Sequence, residues 1–136
     1  MSAPIAMNGI HHIAFTVTDV PRAKAFYMAI LGFQLLAELG PKTLLVNGNT
    51  IIALNAAYDP SQKPQNDRFT ENRAGLDHVS FTVANRAALE NALETFEANG
   101  VEHGEINDLG QYGLPIYVLA FRDPDNIQLE LTAPHG

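Results

Sequence analysis

Cysteine is absent from the 136 residues, so the chain has neither a disulfide nor a thiolate metal ligand. Positive charge is scarce. Only 8 Lys and Arg stand against 15 Asp and Glu, a formal net charge of −7, with no basic cluster. That balance excludes a nucleic-acid surface or anionic membrane as the expected partner and leaves few groups to hold a polyanionic substrate. No apolar run is long enough to span a bilayer, and the first residues do not read as a charged-then-apolar leader. A cytoplasmic address is therefore the expectation. The remainder is ordinary for a globular domain, 46% hydrophobic and 17% charged, and long enough for one sizeable core.

What the chain does contain is a repeat. Residues 9–18 read GIHHIAFTVT and residues 75–84 read GLDHVSFTVA, an offset of 66 residues, about half the length. Self-similarity at that period means two related supersecondary units. Strand alternation sorts the side chains of each copy. Ile13, Phe15 and Val17, or Val79, Phe81 and Val83, form a greasy face for a helix to cover. His12, Ala14 and Thr16, or His78, Ser80 and Thr82, form a small polar face. His11 and Asp77 share the greasy phase, so His11 is expected to point away from the polar side.

The flanking signals repeat as well. After strand Ile10–Val17, Asp19 caps a helix with Pro21 in its first turn and Gly32 as its stop. Strands are expected at Phe33–Glu38, Thr43–Val46 and Thr50–Ala56, with turns at Gly40-Pro41 and Asn47-Gly48-Asn49. In the second half, strand Leu76–Val83 precedes a helix capped by Asn85 that places Leu89, Leu93 and Phe96 on one side and ends at Asn99-Gly100. Strands follow at Glu102–Ile106, Ile116–Phe121 and Ile127–Thr132, with turns near Gly110 and at Asp123–Asn126. The expected class is α+β: two βαβββ modules, about 9–56 and 75–133, forming a curled mixed sheet around a metal-binding cleft in a single domain 1–136. Residues 57–74 are polar, hold two prolines and show no periodicity. They read as a linker or as a loop carrying binding contacts, and Phe69 as pocket lining or loop anchor.

The last strand supplies an acid. Ile127, Leu129 and Leu131 alternate with Gln128, Glu130 and Thr132, which sends Glu130 to the polar side with His12 and His78. Two imidazoles and a carboxylate suit a divalent transition metal with open positions, able to polarise a substrate bound through adjacent oxygens. Tyr112 and Tyr117, just before the last strand, are candidates to hydrogen-bond a bound oxygen. Glu38 is a further carboxylate that nothing places inward. The acids Asp123 and Asp125 resemble calcium-ligand spacing, but a tight turn explains them more simply, since no later ligand completes a loop.

These residues together resemble the vicinal oxygen chelate superfamily of glyoxalases, bleomycin-resistance proteins and extradiol dioxygenases. The likeness rests on His12 followed by Asp19, FYxxxLG at 26–32, LDHV at 76–79 and FRDPDNxxxEL at 121–131, and so spans nearly the whole chain. It implies His12, His78 and Glu130 as the metal ligands. It also implies that Ala53 occupies the position where glyoxalase I carries a fourth ligand, a glutamate that serves as its base. The remaining three-ligand set resembles ring-cleaving dioxygenases and fosfomycin-resistance enzymes. The sparse cations tell against a phosphonate, although Arg68, Arg73 or Arg122 offers a site for one anionic group.

The reading that follows is a metal-dependent dioxygenase or lyase. Its substrate is a small molecule that chelates the metal through vicinal oxygens. Fe(II) or Mn(II) is the favoured metal, with Zn, Ni or Co as alternatives. A non-catalytic protein that sequesters an aromatic or antibiotic ligand is the competing reading. By the same resemblance a homodimer is expected, with specificity in residues 57–74 and 107–115.

Overall fold

The computed structural model describes residues 2–136. It divides into two compact units, residues 1–60 and 61–136. Unit one runs β1 (Ile13–Thr16), α1 (Val20–Ala29), β2 (Gln34–Leu39), β3 (Lys42–Asn47) and β4 (Thr50–Asn55). In unit two the order is β5 (Val79–Thr82), α2 (Arg86–Ala98), β6 (Asn107–Asp108), β7 (Ile116–Arg122) and β8 (Gln128–Pro134). The fold is α+β, and each unit holds one curled four-stranded mixed sheet and one helix. The strand orders are β1-β4-β3-β2 and β5-β8-β7-β6, the same path twice. In each sheet the first strand lies parallel to the last, and the other pairings are antiparallel.

The helices begin where their caps dictate. Asp19 accepts from the Arg22 amide at 3.0 Å, and Asn85 accepts from the Ala88 amide at 3.0 Å. Each satisfies one of the donors a helix start leaves unpaired. Gly32 takes a φ of 70°, the left-handed conformation that turns the chain away from α1. Each helix then covers the greasy face of its sheet. Tyr27, fully buried, stacks on Phe15 of β1 at 5.8 Å and meets Phe33 edge-on at 6.1 Å. Phe96 of α2 stacks on Phe121 of β7 at 4.6 Å, above buried Leu129 and Leu131. The apolar alternation of β8 is therefore realised as read: Leu129, Leu131 and Ala133 are buried, while Gln128, Glu130 and Thr132 remain half-exposed on the other face.

Two expectations need correction. The strands around the repeated histidines are shorter than the apolar pattern implied, four residues each. They begin at Ile13 and Val79, where pairing with β4 and β8 begins, so residues 11, 12, 77 and 78 precede the pleat. The strand expected over Glu102–Ile106 is reduced to a single bridge, His103 with Phe121, followed by the two-residue β6. There the His103 ring contacts Glu97 of helix α2. The turn expected near Gly110 is present, as a 3-10 turn over Leu109–Tyr112 closed by Gly113 at a φ of 86°.

The segment after Pro60 is anchored to the turn before β8. The Phe69 amide donates to the Asp125 carbonyl at 3.0 Å, Asn126 Nδ2 donates to the Phe69 carbonyl at 3.0 Å, and Arg68 donates to Asn126 Oδ1 at 3.0 Å. Phe69 thus anchors the loop through its backbone. Within that turn Asp123 Oδ1 accepts from the amides of Asp125 and Ile127, at 2.8 and 2.9 Å, which is turn chemistry rather than a calcium loop.

His103 links α2 to this framework. Its Nε2 lies 2.7 Å from Glu97 Oε1 and its Nδ1 2.6 Å from the Gly104 carbonyl, so both ring nitrogens face acceptors. The carbonyl contact first, then the carboxylate, raise its pKa above the ordinary value near 6.5. A raised folded-state value contributes stability that is fully present below the unfolded pKa and is lost as pH rises through the folded one. We expect the urea midpoint of the wild type to fall as pH rises above 6.5, and this component to vanish in His103→Ala, read from denaturation curves across that window. Asn85→Ala, which leaves the α2 start uncapped, is expected to cost about 1 kcal/mol in the same assay.

Candidate metal centre

Parallel pairing of β5 with β8 sets Ser80 beside Glu130. His78 lies immediately before β5. Its Nε2 lies 3.7 Å from Glu130 Oε1, beyond hydrogen-bond reach, with side chains 40% and 20% exposed. The other ring nitrogen is engaged: Nδ1 sits 2.7 Å from Asp77 Oδ1. An ionised carboxylate has no proton to give, so Nδ1–H is the donor, and in the neutral ring the lone pair lies on Nε2, toward Glu130.

Asp77 is held in turn. Gln128 Nε2 donates to its Oδ1 at 3.0 Å and to its carbonyl at 3.1 Å. Arg122 Nη2 donates to Gln128 Oε1 at 3.3 Å, and Nη1 to Glu71 Oε1 at 2.7 Å. The Arg122 guanidinium draws the Glu71 carboxyl below the usual carboxylate range, and Glu71 raises Arg122 in return. Arg122, one of the cations considered for an anionic substrate group, thus already carries a carboxylate. The same Glu130 Oε1 accepts from Thr132 Oγ1 at 3.4 Å, and that hydroxyl also bonds Ser80 Oγ.

Unit one repeats the frame with different side chains. The β1–β4 register pairs Ala14 with Ala53, the counterpart of the Ser80–Glu130 pairing. Ala53 therefore stands where Glu130 stands in unit two, and it is 4% exposed. Asn55, the next residue along that face, keeps its Oδ1 buried without a hydrogen-bond partner. Just before β1, His12 Nδ1 meets His11 Nδ1 at 2.9 Å, one ring edge-on to the other. His11, expected to turn away, instead contacts the candidate ligand. It can do so because the alternation that would have turned it away begins only at Ile13.

The three candidate ligands are thus divided, His12 on unit one and the His78–Glu130 pair on unit two. Among the described residues, no three His, Cys, Asp or Glu side chains gather into a group that could hold a metal ion. The tyrosines stand elsewhere. Tyr117 pairs with Ala133 and so faces the helix side of the sheet, opposite Glu130. Its ring packs on His135 at 4.5 Å, and the Arg86 guanidinium lies 4.9 Å from its centroid. The expectation that Tyr117 would reach an oxygen beside Glu130 is corrected by that register. Tyr112 is 72% exposed on the 3-10 turn. Asp77 and Gln128 were missed by pattern reading. The one available signal was an acid immediately before a histidine, discounted because strict alternation put it on the greasy face.

Known proteins resemble the chain over nearly its whole length. The chain is 32% identical over 132 residues to the uncharacterised protein YwkD of Bacillus subtilis (strain 168), spanning 92% of this chain and 96% of that protein. It is 30% identical over 132 residues to the metallothiol transferase FosB of Shouchella clausii (strain KSM-K16), spanning 92% and 80%. Among solved structures, a glyoxylase/bleomycin resistance protein/dioxygenase domain from Frankia sp. EAN1pec superposes with a TM-score of 0.78 at 28% identity, covering 95% of this chain and 93% of that one. With residues 9–131 matching the model of the Glyoxalase/Bleomycin resistance protein/Dioxygenase superfamily, this chain belongs to that superfamily.

Proposed function

We propose that this protein is a metal-dependent enzyme acting on a small substrate that chelates one divalent cation through vicinal oxygens. His12, His78 and Glu130 are the protein ligands in this reading. The observation that carries it is the His78–Glu130 pair. The two donors are 3.7 Å apart, too far to bond each other and near enough for one cation at ordinary ligand lengths of about 2.0–2.2 Å to touch both. The donor chemistry fits as well, since a neutral imidazole offering Nε2 and a carboxylate suit Fe(II) or Mn(II), with Zn, Ni or Co as alternatives. Members of the superfamily typically use such metals, and the FosB relative is by name a metallothiol transferase.

A bound cation would supply Lewis acidity toward the substrate's adjacent oxygens. The chain's own contribution is to orient. Thr132, itself bonded to Ser80, holds Glu130, and Asp77 fixes the His78 ring. Ala53 can neither bind a cation nor move a proton, which removes the second carboxylate that a glyoxalase I-type proton shuttle uses as base. That points to a dioxygenase or lyase over an isomerase. The reading requires His12 to meet the pair of unit two, in one domain 1–136 or across a homodimer.

Protein purified without chelator is expected to take up stoichiometric Mn(II), measured by plasma mass spectrometry and titration calorimetry. His78→Ala and Glu130→Ala should each abolish that uptake while leaving the fold intact by circular dichroism. A wild type that stays metal-free in Mn(II)-replete buffer, yet holds an aromatic ligand with chelator-indifferent affinity, would establish sequestration instead.

A further inference from the structure

We infer that Asp77 is the positioning residue of the metal centre, selecting Nε2 of His78 as the coordinating atom by holding the proton on Nδ1. The inference deepens the metal-enzyme reading and rests on it for the identity of His78 as ligand. Three observations carry it. First, the 2.7 Å contact commits Nδ1 to a carboxylate and leaves the opposite nitrogen facing Glu130. A ligating imidazole that donates its other N–H to a carboxylate has a fixed tautomer, a fixed ring plane and raised basicity.

Second, Asp77 is restrained despite a 68% exposed side chain. Gln128 grips both its carboxylate and its carbonyl, and Gln128 is itself fixed by Arg122, which is locked to Glu71 of the loop before β5. The chain of contacts runs from loop to ligand without a gap: Glu71, Arg122, Gln128, Asp77, His78. An exposed carboxylate left to itself would spend its rotamer freedom in water. This one is aimed.

Third, the repeat uses the same device with other chemistry. His11 occupies the Asp77 position of the first copy, and its Nδ1 meets Nδ1 of His12 at 2.9 Å. In both copies the residue immediately before the histidine holds Nδ1. In unit two the partner is an acceptor with no proton of its own, so the assignment is unambiguous. In unit one the partner is a second imidazole, so either Nδ1 can be the donor.

The test compares wild type, Asp77→Ala and Asp77→Asn by two readouts. Nitrogen-15 NMR of chelator-treated protein reports the His78 tautomer, with His78→Gln used to assign the ring. Wild type should show Nδ1 protonated and Nε2 bare. Asp77→Ala should release the ring to a mixture dominated by Nε2–H, and Asp77→Asn, whose amide oxygen still accepts, should restore Nδ1–H. Calorimetry should then give Mn(II) binding weaker by about 10- to 100-fold in Asp77→Ala and by less in Asp77→Asn. A purely structural role would lower the melting temperature without moving the tautomer. Asp77→Ala with Nδ1–H retained and Mn(II) affinity unchanged would overturn the inference while leaving the metal reading intact. A wild type that binds no Mn(II) would overturn the metal reading, and the tautomer shift would still decide whether Asp77 controls the ring.

Discussion

The parallel pairing of the first strand of each unit with its last is the constraint on which the rest depends. It sets Ser80 beside Glu130 and Ala14 beside Ala53, and so determines which side chains share a face. A parallel pair cannot be closed by a tight turn. The intervening helix and two strands are the crossover that brings β4 back to β1 and β8 back to β5. Because the crossover helix must bury its apolar side, one face of each sheet is committed to packing, as Phe15 on Tyr27 and Phe121 on Phe96 show. The opposite face is left to polar side chains. Glu130, Thr132 and Ser80 lie there because Leu129, Leu131 and Val79 cannot.

The two units share this frame and differ in what they hang on it. Unit two presents an acid facing an imidazole whose second nitrogen is tied off. Unit one presents alanine where the acid would be, with the buried amide oxygen of Asn55 one step along. An aliphatic residue at that position lowers the local density of ionisable groups. It also makes the two halves chemically unequal, one able to offer a histidine and the other a histidine with a carboxylate.

Much of this was legible in the residues. The self-match of 9–18 with 75–84 and the caps at Asp19 and Asn85 gave the topology, because duplication and capping are local signals that tertiary context rarely overrides. The side of Glu130 was legible because β8 alternates without interruption over its length. Where the reading failed, the pleat was absent. His11 and Asp77 were assigned by alternation, yet both precede their strands, and periodicity says nothing outside a ladder. Tyr117 was judged by nearness in the chain to Glu130, whereas its register places it across the sheet. The Glu71–Arg122–Gln128 connection spans a long sequence separation and involves residues with no pattern of their own, so only coordinates reveal it.

The shared register also limits how such a duplicated chain can change. Slipping β8 by one residue against β5 would put Glu130 among Phe121 and Phe96 and turn Leu129 and Leu131 outward, exchanging the packed layer with the polar one in a single step. Substitutions at facing positions, alanine for acid or histidine for aspartate, leave the phase of the strand untouched. A lineage built on this frame can therefore vary its reagents freely by point mutation, while any single-residue insertion or deletion within the central strands is closed to it.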